Sequence, residues 1–428
     1  MNKPDNPPTI GNKPPADRTD IAVIGGGAAG MAAACIAADC GADVLLLEKN
    51  DALGRKLLIT GKGRCNLTND CSVAGVLESI PTGGSFLHSA VNGFSPRDAM
   101  SFFGSLGVPL KTERGGRVFP QSDSASDIVE ALRRQMEKKG VRLKRCRALR
   151  LSADNGRVCG VVTSEGRIET PAVILATGGM SYPATGSTGD GHNMASKLGH
   201  SITPLRGSLV PLVAEPETCA RMQGLTLKNV RVSAFDGGKK PIFEDFGELL
   251  FTHFGISGPL ALSASAHMRD FAGKKYYVLV DLKPALDEKK LDLRILRDFD
   301  KYSNRDFPNA LVDLLSRMMI PVVVEKSGIA RNTKPHSISR ENRLGLGRLL
   351  KAFRIDIEGP RPIEEAIVTS GGVDLREINP KTMESKLVGG LYFAGEILDA
   401  DAYTGGFNLQ IAWSTAHAAA KAAAAAHS

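Results

Sequence analysis

The segment Asp20-Ile21-Ala22-Val23-Ile24-Gly25-Gly26-Gly27-Ala28-Ala29-Gly30 carries the clearest structural pattern in this chain of 428 residues. A short apolar run over 20–24 is typical of a buried strand, and the alanine-rich stretch 30–40 predicts a helix. A second strand is predicted over 44–48. Strand, glycine turn, helix and strand within about 30 residues form a β-α-β unit, which predicts a parallel sheet of the α/β class.

The glycines of this turn have the spacing G-x-G-x-x-G, with Gly25, Gly27 and Gly30 at the fixed positions. In dinucleotide-binding folds the first glycine permits the tight turn, the second lets the backbone approach a pyrophosphate, and the third lets the helix pack closely. The helix N-terminus then faces the phosphates with its partial positive charge. Glu48 ends the second predicted strand, where a carboxylate can bind a ribose diol. The alternative interpretation is a tight turn without a ligand.

The other end of the chain favours FAD over NAD, since both use the first motif. The predicted strand 391–394 leads into Gly395-Glu396 and then Asp399. In FAD enzymes of the glutathione-reductase-like superfamily, such a strand brings an acid to the ribityl chain and pyrophosphate. Gly405-Gly406-Phe407-Asn408 opens the last predicted helix, whose N-terminus would stabilise an anionic reduced flavin. The sequence therefore predicts a glutathione-reductase-like FAD-binding Rossmann domain; a buried βα turn without a ligand is the alternative.

The number of nucleotide-binding motifs predicts how electrons reach the flavin. No second G-x-G-x-x-G follows a predicted strand, so a dedicated NADPH domain is not expected. Cys65 and Cys71 lie near the position of the redox pair in two-nucleotide disulfide reductases, but their spacing argues against that role. We therefore expect NAD(P)H to act as a transient electron donor.

Changes in composition divide the chain into four parts. Residues 1–17 are proline-rich and predicted to be a disordered tail. The FAD-binding domain is predicted to span 18–204 and to resume over 360–428. Between them, 205–359 is predicted to be an inserted substrate domain, β-rich first and helical later.

The net charge is +8 and is distributed unevenly. Bases are concentrated in Arg133–Arg150 and in Lys326–Arg354, and such patches fit an anionic partner such as RNA. The alternative is a solvated face. Seven cysteines without a CxxC motif predict neither a disulfide framework nor a zinc site, and we expect no metal. The sequence has no apolar run long enough to cross a bilayer, so we expect no membrane association. We expect a cytoplasmic location.

The segment Gly54-Arg55-Lys56-Leu57-Leu58-Ile59-Thr60-Gly61-Lys62-Gly63-Arg64-Cys65-Asn66-Leu67-Thr68-Asn69 is the most specific in the chain. Its glycines and interleaved bases suit a loop around a phosphate and a flavin ring. It resembles the signature of the BaiN/RdsA family of FAD-dependent oxidoreductases. Further similar stretches are 176–179, 181–183, 185–191, 250–259, 369–373, 382–386, 395–399 and 405–410. The sequence departs from the family at Ala402, where the family usually has glycine.

The resemblance implies that FAD is bound by the split domain and that an activated C=C bond is reduced. The flavin delivers hydride to one carbon, and an acid protonates the neighbouring carbon. Cys65 and His253 are the candidates for that acid; the alternatives are a small buried hydrophobe and a structural histidine. The residues predicted to bind the cofactor are Gly25, Gly27, Ala29, Gly30, Glu48, Lys49, Arg55, Lys56, Arg64, Asn66, Ala176, Thr177, Gly178, Gly395, Glu396, Asp399, Gly406, Asn408 and Leu409.

Three functional hypotheses follow. The family acts on uridine in large-subunit ribosomal RNA, giving dihydrouridine, and on unsaturated steroid (bile-acid) intermediates. The two basic stretches favour reduction of a uridine in 23S rRNA. The first alternative is a small-molecule enoyl or steroid reductase, and the second is a non-catalytic, flavin-containing RNA-binding factor.

Overall fold

A computed structural model of the protein describes residues 17–426. Of the tail predicted over 1–17, only Asp17 lies within the described residues, where it forms a short strand with Arg18. The strands are β1 (Asp17–Arg18), β2 (Ile21–Ile24), β3 (Val44–Glu48), β4 (Thr68–Asn69), β5 (Leu110–Glu113), β6 (Arg117–Pro120), β7 (Arg142–Arg145), β8 (Ala148–Asp154), β9 (Arg157–Thr163), β10 (Gly166–Glu169), β11 (Ala172–Leu175), β12 (Arg206–Ser208), β13 (Leu212–Ala214), β14 (Thr226–Phe235), β15 (Phe243–Thr252), β16 (Gly255–Ser257), β17 (Tyr276–Asp281), β18 (Phe353–Pro360), β19 (Val368–Ser370) and β20 (Leu391–Phe393).

The α-helices surround these strands. They are α1 (Ala28–Asp39), α2 (Arg55–Ile59), α3 (Val73–Glu78), α4 (Gly84–Gly93), α5 (Pro96–Ser105), α6 (Ala125–Lys138), α7 (Asp190–Ser196), α8 (Pro216–Ala220), α9 (Gly258–Ser265), α10 (Glu288–Lys301), α11 (Ile320–Ser327), α12 (Arg340–Lys351) and α13 (Phe407–Ala425).

A parallel sheet of five strands in the order β20-β11-β2-β3-β7 forms the centre of the first domain. The strands β2, β3, β11 and β20 are buried along their whole length; helices α1 and α13 pack on the sheet, and β9 of a neighbouring sheet contacts β11. Strand β20 comes from the end of the chain and pairs with β11, so the first and last segments build one sheet. The predicted α/β architecture is confirmed. The first helix begins at Ala28, two residues before the predicted start.

Two smaller sheets flank the parallel sheet. The hairpin strands β8, β9 and β10 form a sheet with β1 in the order β1-β10-β9-β8, whereas β7 joins the edge of the parallel sheet beside β3. The other sheet has the order β4-β6-β5 and follows the loop 54–69.

A closed antiparallel barrel forms the second domain. Its strand order is β13-β16-β15-β14-β17-β18, and β18 closes the barrel by pairing with β13. The second hydrophobic core consists of residues between Leu212 and Ile357, with α10, α11 and α12 packed against it. The barrel thus occupies the segment 205–359 predicted to be an insert and ends at Pro360, one residue beyond it.

A third, small apolar cluster lies where the two domains meet. Leu209, Ala266 and Val368 are buried there, with Ile367 and Tyr403 packed against them. Strands β12 and β19 pair beside this cluster and carry the chain into and out of the barrel domain. The junction is therefore a packed, hydrogen-bonded contact.

Replacement of Gly30 by alanine should destabilise the fold. The added Cβ would lie 1.8 Å from the Gly25 carbonyl oxygen, and relieving such overpacking costs about 1–3 kcal/mol or more. Gly104→Ala is the matched control, because Gly104 is also helical and a Cβ there would meet no atom within 4 Å. Helix propensity predicts that Gly104→Ala stabilises the protein by up to about 1 kcal/mol. Urea unfolding followed by circular dichroism measures both effects, and equal changes would contradict the close packing at Gly30.

Candidate cofactor and substrate site

A cavity of about 340 Å³ lies at the carboxyl ends of the parallel strands. Its wall is drawn from the turn after β2, the loop after β3, the start of α2, the turn after β11 and the segment after β20. This position is the usual ligand site of open α/β sheets, because the strand order reverses there and leaves a crevice at the carboxyl ends of the strands. The volume falls within the range of cofactor pockets.

The glycines of the first turn have different surroundings. A Cβ on Gly25 would lie 2.5 Å from the Ala176 carbonyl oxygen, so this glycine is required by packing. A Cβ on Gly30 would collide with the turn itself. Gly27 faces open space, since a Cβ there would meet no atom within 4 Å, and Gly27 lines the cavity. Its backbone is therefore accessible to a ligand that must approach closely, as a pyrophosphate does.

Two helix N-termini face this cavity without caps. Helix α1 has Gly27 as its N-cap and α13 has Gly406, and neither has a side-chain cap or an acidic residue in its first turn. Free N–H groups and the helix dipole make each end attractive to negative charge. In the amide orientation that satisfies both of its groups, Asn66 accepts a hydrogen bond from Gly406 N at 3.0 Å and ties the 54–69 loop to α13.

Glu48 is held at the end of β3 by three hydrogen bonds. Its carboxylate accepts from Gly26 N at 2.6 Å, from Asn50 N at 2.8 Å and from the Asn50 side chain at 2.7 Å. Both Glu48 and Asn50 line the cavity. The adjacent Lys49 forms an ion pair with Asp190 at 2.8 Å. These contacts fix an acid where the ribose of a nucleotide would lie in a Rossmann fold.

A second polar group on the wall joins the two ends of the chain. Lys56 Nζ lies 2.5 Å from Glu396 Oε2 and donates to Ser181 Oγ at 2.7 Å. The other Glu396 oxygen accepts from Thr369 N at 2.8 Å and from Ser181 Oγ at 3.0 Å. Lys56 and Glu396 line the cavity. Together with the open Gly27 backbone and the two uncapped helices, this polar wall fits an FAD.

Most of the residues predicted to bind the cofactor are brought together here. Those that line the cavity are Gly25, Gly27, Ala29, Glu48, Lys49, Arg55, Lys56, Asn66, Ala176, Thr177, Gly178, Gly395, Glu396, Gly406, Asn408 and Leu409. The side chain of Asn408 is engaged with the backbone of Ala402, from which it accepts a bond at 2.9 Å and to which it donates one at 2.7 Å.

Three predicted cofactor residues lie outside this wall. Gly30 packs under the first turn. Arg64 is turned away, because it pairs with Glu113 and Asp123 and stacks on the Phe119 ring. Asp399 is half-buried beside the wall, with one carboxylate oxygen lacking a hydrogen-bond partner among the described residues. These three positions give no support to direct contact with a cofactor.

Neither predicted proton donor faces the cavity. Cys65 is fully buried, and that burial raises the pKa of its thiol to about 12. Its position matches the alternative interpretation, a small buried hydrophobe. His253 is exposed on the barrel, where its ring contacts Phe254 at 5.0 Å. Both catalytic roles remain predictions without support from the geometry.

A second cavity of about 430 Å³ lies between the barrel and the first domain. Its apolar wall includes Phe243, Phe246, Leu260 and Phe407. Tyr403 and Thr404 line both cavities. Sequence reasoning missed these residues; the only signal was their place in the glycine-bearing segment before α13.

In the part of the chain that the structure describes, ten of the seventeen Lys and Arg residues in the two basic stretches form ion pairs. Most of these pairs join a base to an acid that is distant in the sequence. Each pair reduces the positive potential that the stretch would present to a distant anion. The distant pairs are Lys139–Asp39, Arg142–Asp43, Lys144–Asp17, Arg147–Asp190, Lys326–Glu215, Lys334–Asp306, Arg343–Asp292 and Lys351–Asp281. The prediction that these stretches bind rRNA therefore gains no support from the structure.

The described part of the chain contains neither a candidate metal site nor a candidate membrane-spanning helix. Within residues 17–426, no group of three or more His, Cys, Asp or Glu side chains could hold a metal ion. Over the same residues, no helix combines the length and apolarity that crossing a membrane requires. All seven cysteines are free.

The chain is similar to two relatives with different activities. A 3-dehydro-bile acid delta(4,6)-reductase of Clostridium scindens is 34% identical over 94% of this chain and 98% of its own. A ribosomal RNA dihydrouridine synthase of Escherichia coli is 31% identical over 95% of this chain and 98% of its own.

A solved structure shares the fold. The 3-ketosteroid delta1-dehydrogenase of Sterolibacterium denitrificans, in complex with 1,4-androstadiene-3,17-dione, is 14% identical, with a TM-score of 0.52 over 96% of this chain and 100% of that chain. The family described as the HI0933-like protein Rossmann domain matches residues 19–422. The predicted resemblance is confirmed: the chain belongs to this Rossmann family, together with the bile-acid reductase and the dihydrouridine synthase.

Proposed function

We propose that this protein is an FAD-dependent reductase that saturates an activated C=C bond with electrons from NAD(P)H, in the cytoplasm. The observation that carries the proposal is the cavity between the two uncapped helix N-termini, with the Lys56–Glu396 pair on its wall. The names of both curated relatives support the same chemistry, since a bile-acid reductase and a dihydrouridine synthase each remove a C=C bond.

The chain supplies the binding groups, and the bound flavin would supply the hydride. The N-terminus of α1 and the open backbone of Gly27 would hold the pyrophosphate. Glu48 would bind a ribose, and Glu396 the chain between pyrophosphate and ring. The N-terminus of α13 would stabilise negative charge on the reduced ring. The nicotinamide would reach the ring from the second cavity and leave before the substrate enters.

We propose a small, neutral enone as the substrate. The second cavity, which adjoins the first through Tyr403, is lined by aromatic and aliphatic side chains together with uncharged polar ones such as Ser79, Ser263 and Thr404. Glu244 and Asp245 also line it, and no lysine or arginine does among the described residues. Two carboxylates in the lining repel a polyanion, whereas a neutral molecule gains from burying its apolar surface there.

Reduction of a uridine in 23S rRNA remains the second candidate. The observation that favours it is the 31% identity to the ribosomal RNA dihydrouridine synthase over nearly the whole chain. The non-catalytic alternative would require bound FAD that NAD(P)H cannot reduce.

Gly27→Ala should weaken FAD binding without unfolding the protein. A Cβ at Gly27 meets no protein atom within 4 Å, so loss of stability should not exceed about 1 kcal/mol. The same Cβ would occupy space that a pyrophosphate needs, and we expect FAD affinity to fall at least about tenfold. Flavin fluorescence during reconstitution measures affinity, and urea unfolding of the FAD-free variant measures stability. Unchanged affinity would contradict the proposed pyrophosphate site.

The proposed substrate class predicts which compound should cause the protein to oxidise NADPH. The purified yellow protein should oxidise NADPH under anaerobic conditions when androsta-4,6-diene-3,17-dione is added, because this apolar dienone fits the second cavity. Unmodified transcripts of 23S rRNA should have no effect. The opposite result, together with loss of dihydrouridine from 23S rRNA in a deletion strain by mass spectrometry, would establish the RNA candidate instead.

A further inference from the structure

Tyr403 joins the cofactor cavity to the second cavity. Tyr403 and the adjacent Thr404 line both. His267, just after α9, lines only the second. A group at Tyr403 can therefore reach a substrate that lies in the second cavity against a ring bound in the first.

The Tyr403 phenol is held in place by its neighbours. Its Oη lies 2.6 Å from His267 Nε2. The Phe243 ring packs against both partners, with its centroid 5.5 Å from that of His267 and 6.3 Å from that of Tyr403. A hydrogen bond on one side and an aromatic contact on the other restrict the rotamer of the phenol, which preorganises it for proton transfer.

The backbone that carries Tyr403 is also fixed. Asn408, in the first turn of α13, donates to the Ala402 carbonyl at 2.7 Å and to the Tyr403 carbonyl at 3.3 Å. Tyr403 N donates to the Ser79 carbonyl at 3.0 Å. The same helix start that faces the cofactor cavity thus positions the phenol.

The electrostatic surroundings keep both side chains neutral near pH 7. Burial and the nearby Asp245 carboxylate raise the pKa of Tyr403, so the phenol stays protonated. Burial and the Arg269 guanidinium lower the pKa of His267, against a smaller opposite effect of Asp401. A neutral imidazole with its proton on Nε2 can donate to Tyr403 Oη, which leaves the phenol proton free to point into the cavity.

We propose that Tyr403 is the catalytic proton donor of the reduction and that His267 is its positioning residue and proton source, an inference that rests on the proposed function. The β carbon of the enone would receive the hydride that a bound, reduced flavin would supply. The π electrons of the C=C bond move to the α carbon, which takes the proton of Tyr403 Oη. The tyrosinate then takes the Nε2 proton of His267 while Nδ1 gains one from solvent. One C=C bond is lost and two C–H bonds form.

The test separates the two half-reactions in Tyr403→Phe. Stopped-flow spectroscopy without oxygen follows flavin bleaching by NADPH and then its reoxidation by androsta-4,6-diene-3,17-dione or by unmodified 23S rRNA transcripts. We expect bleaching to change less than twofold and reoxidation to slow at least about 100-fold, since a positioned acid contributes about 10²–10⁴-fold. Tyr277→Phe is the matched control and should leave both rates unchanged, because Tyr277 lies on β17 against Phe235 and lines neither cavity.

Each outcome decides between the proposals. If wild-type reduced flavin is reoxidised by neither probe, the proposed function fails and this inference fails with it. If the wild type reacts and Tyr403→Phe reacts equally fast, only the proton donor is wrong. His267→Ala keeps the phenol and should slow reoxidation about tenfold, as expected when a supporting group is lost; an unchanged rate would remove His267 from the proposal.

A second readout does not depend on turnover. In oxidised, FAD-loaded protein carrying tyrosine labelled with ¹³C at Cζ, the Tyr403 signal is the one missing from Tyr403→Phe. It should shift in His267→Ala, because its hydrogen-bond partner is gone, while the Tyr277 signal stays in place. An unshifted Tyr403 signal would show that the hydrogen bond between Tyr403 and His267 does not form when FAD is bound. It would then contradict the proposed proton transfer from His267 to Tyr403.

Discussion

The close approach of helix α1 to the turn before it and to the start of the last segment is the constraint on which this structure depends. Gly30 lies against the Gly25 carbonyl, and a Cβ on Gly395 would come within 2.8 Å of the Ala29 side chain. Buried alanines fill much of α1 and α13, so the two helices can pack directly on one another. Larger residues at these contacts would separate the helices and open the crevice between their N-termini. The shape of the cofactor cavity thus follows from the absence of side chains.

Local features of the sequence predicted the first domain well. The β-α-β unit, Glu48 at the end of β3 and the strand that delivers Glu396 are all recognised from neighbouring residues, because periodicity and turn chemistry are local. The barrel was harder to predict from the sequence. Its closure pairs β13 with β18, elements separated by more than a hundred residues and five α-helices. Alternating patterns predicted strands in 205–359, but which strands pair is decided by the complete core.

Single residues of the site also differ in how well local sequence patterns predicted their positions. Arg64 and Cys65 lie within the most specific motif, yet neither lines the cavity, because Arg64 is paired with acids of another segment and Cys65 is buried in the core. The acidic partners of the basic stretches could not be foreseen either, since residues such as Asp43 and Asp281 lie far away in the sequence. Tyr403 and His267 are 136 residues apart, and no local pattern could bring them together.

The two domains therefore carry different parts of the chemistry. Residues around the first cavity must satisfy a nucleotide, which restricts Gly27, Glu48 and the helix N-termini whatever is reduced. The second cavity does not have to bind a nucleotide. One of its walls comes from β15 and α9 of the barrel. Changes at Asp245 or Phe246 alter the charge and shape that a substrate meets without touching the cofactor. Substrate choice can consequently diverge on this barrel wall while the flavin site is retained, so the barrel, and not the glycine motif, is where activity within this family should be sought.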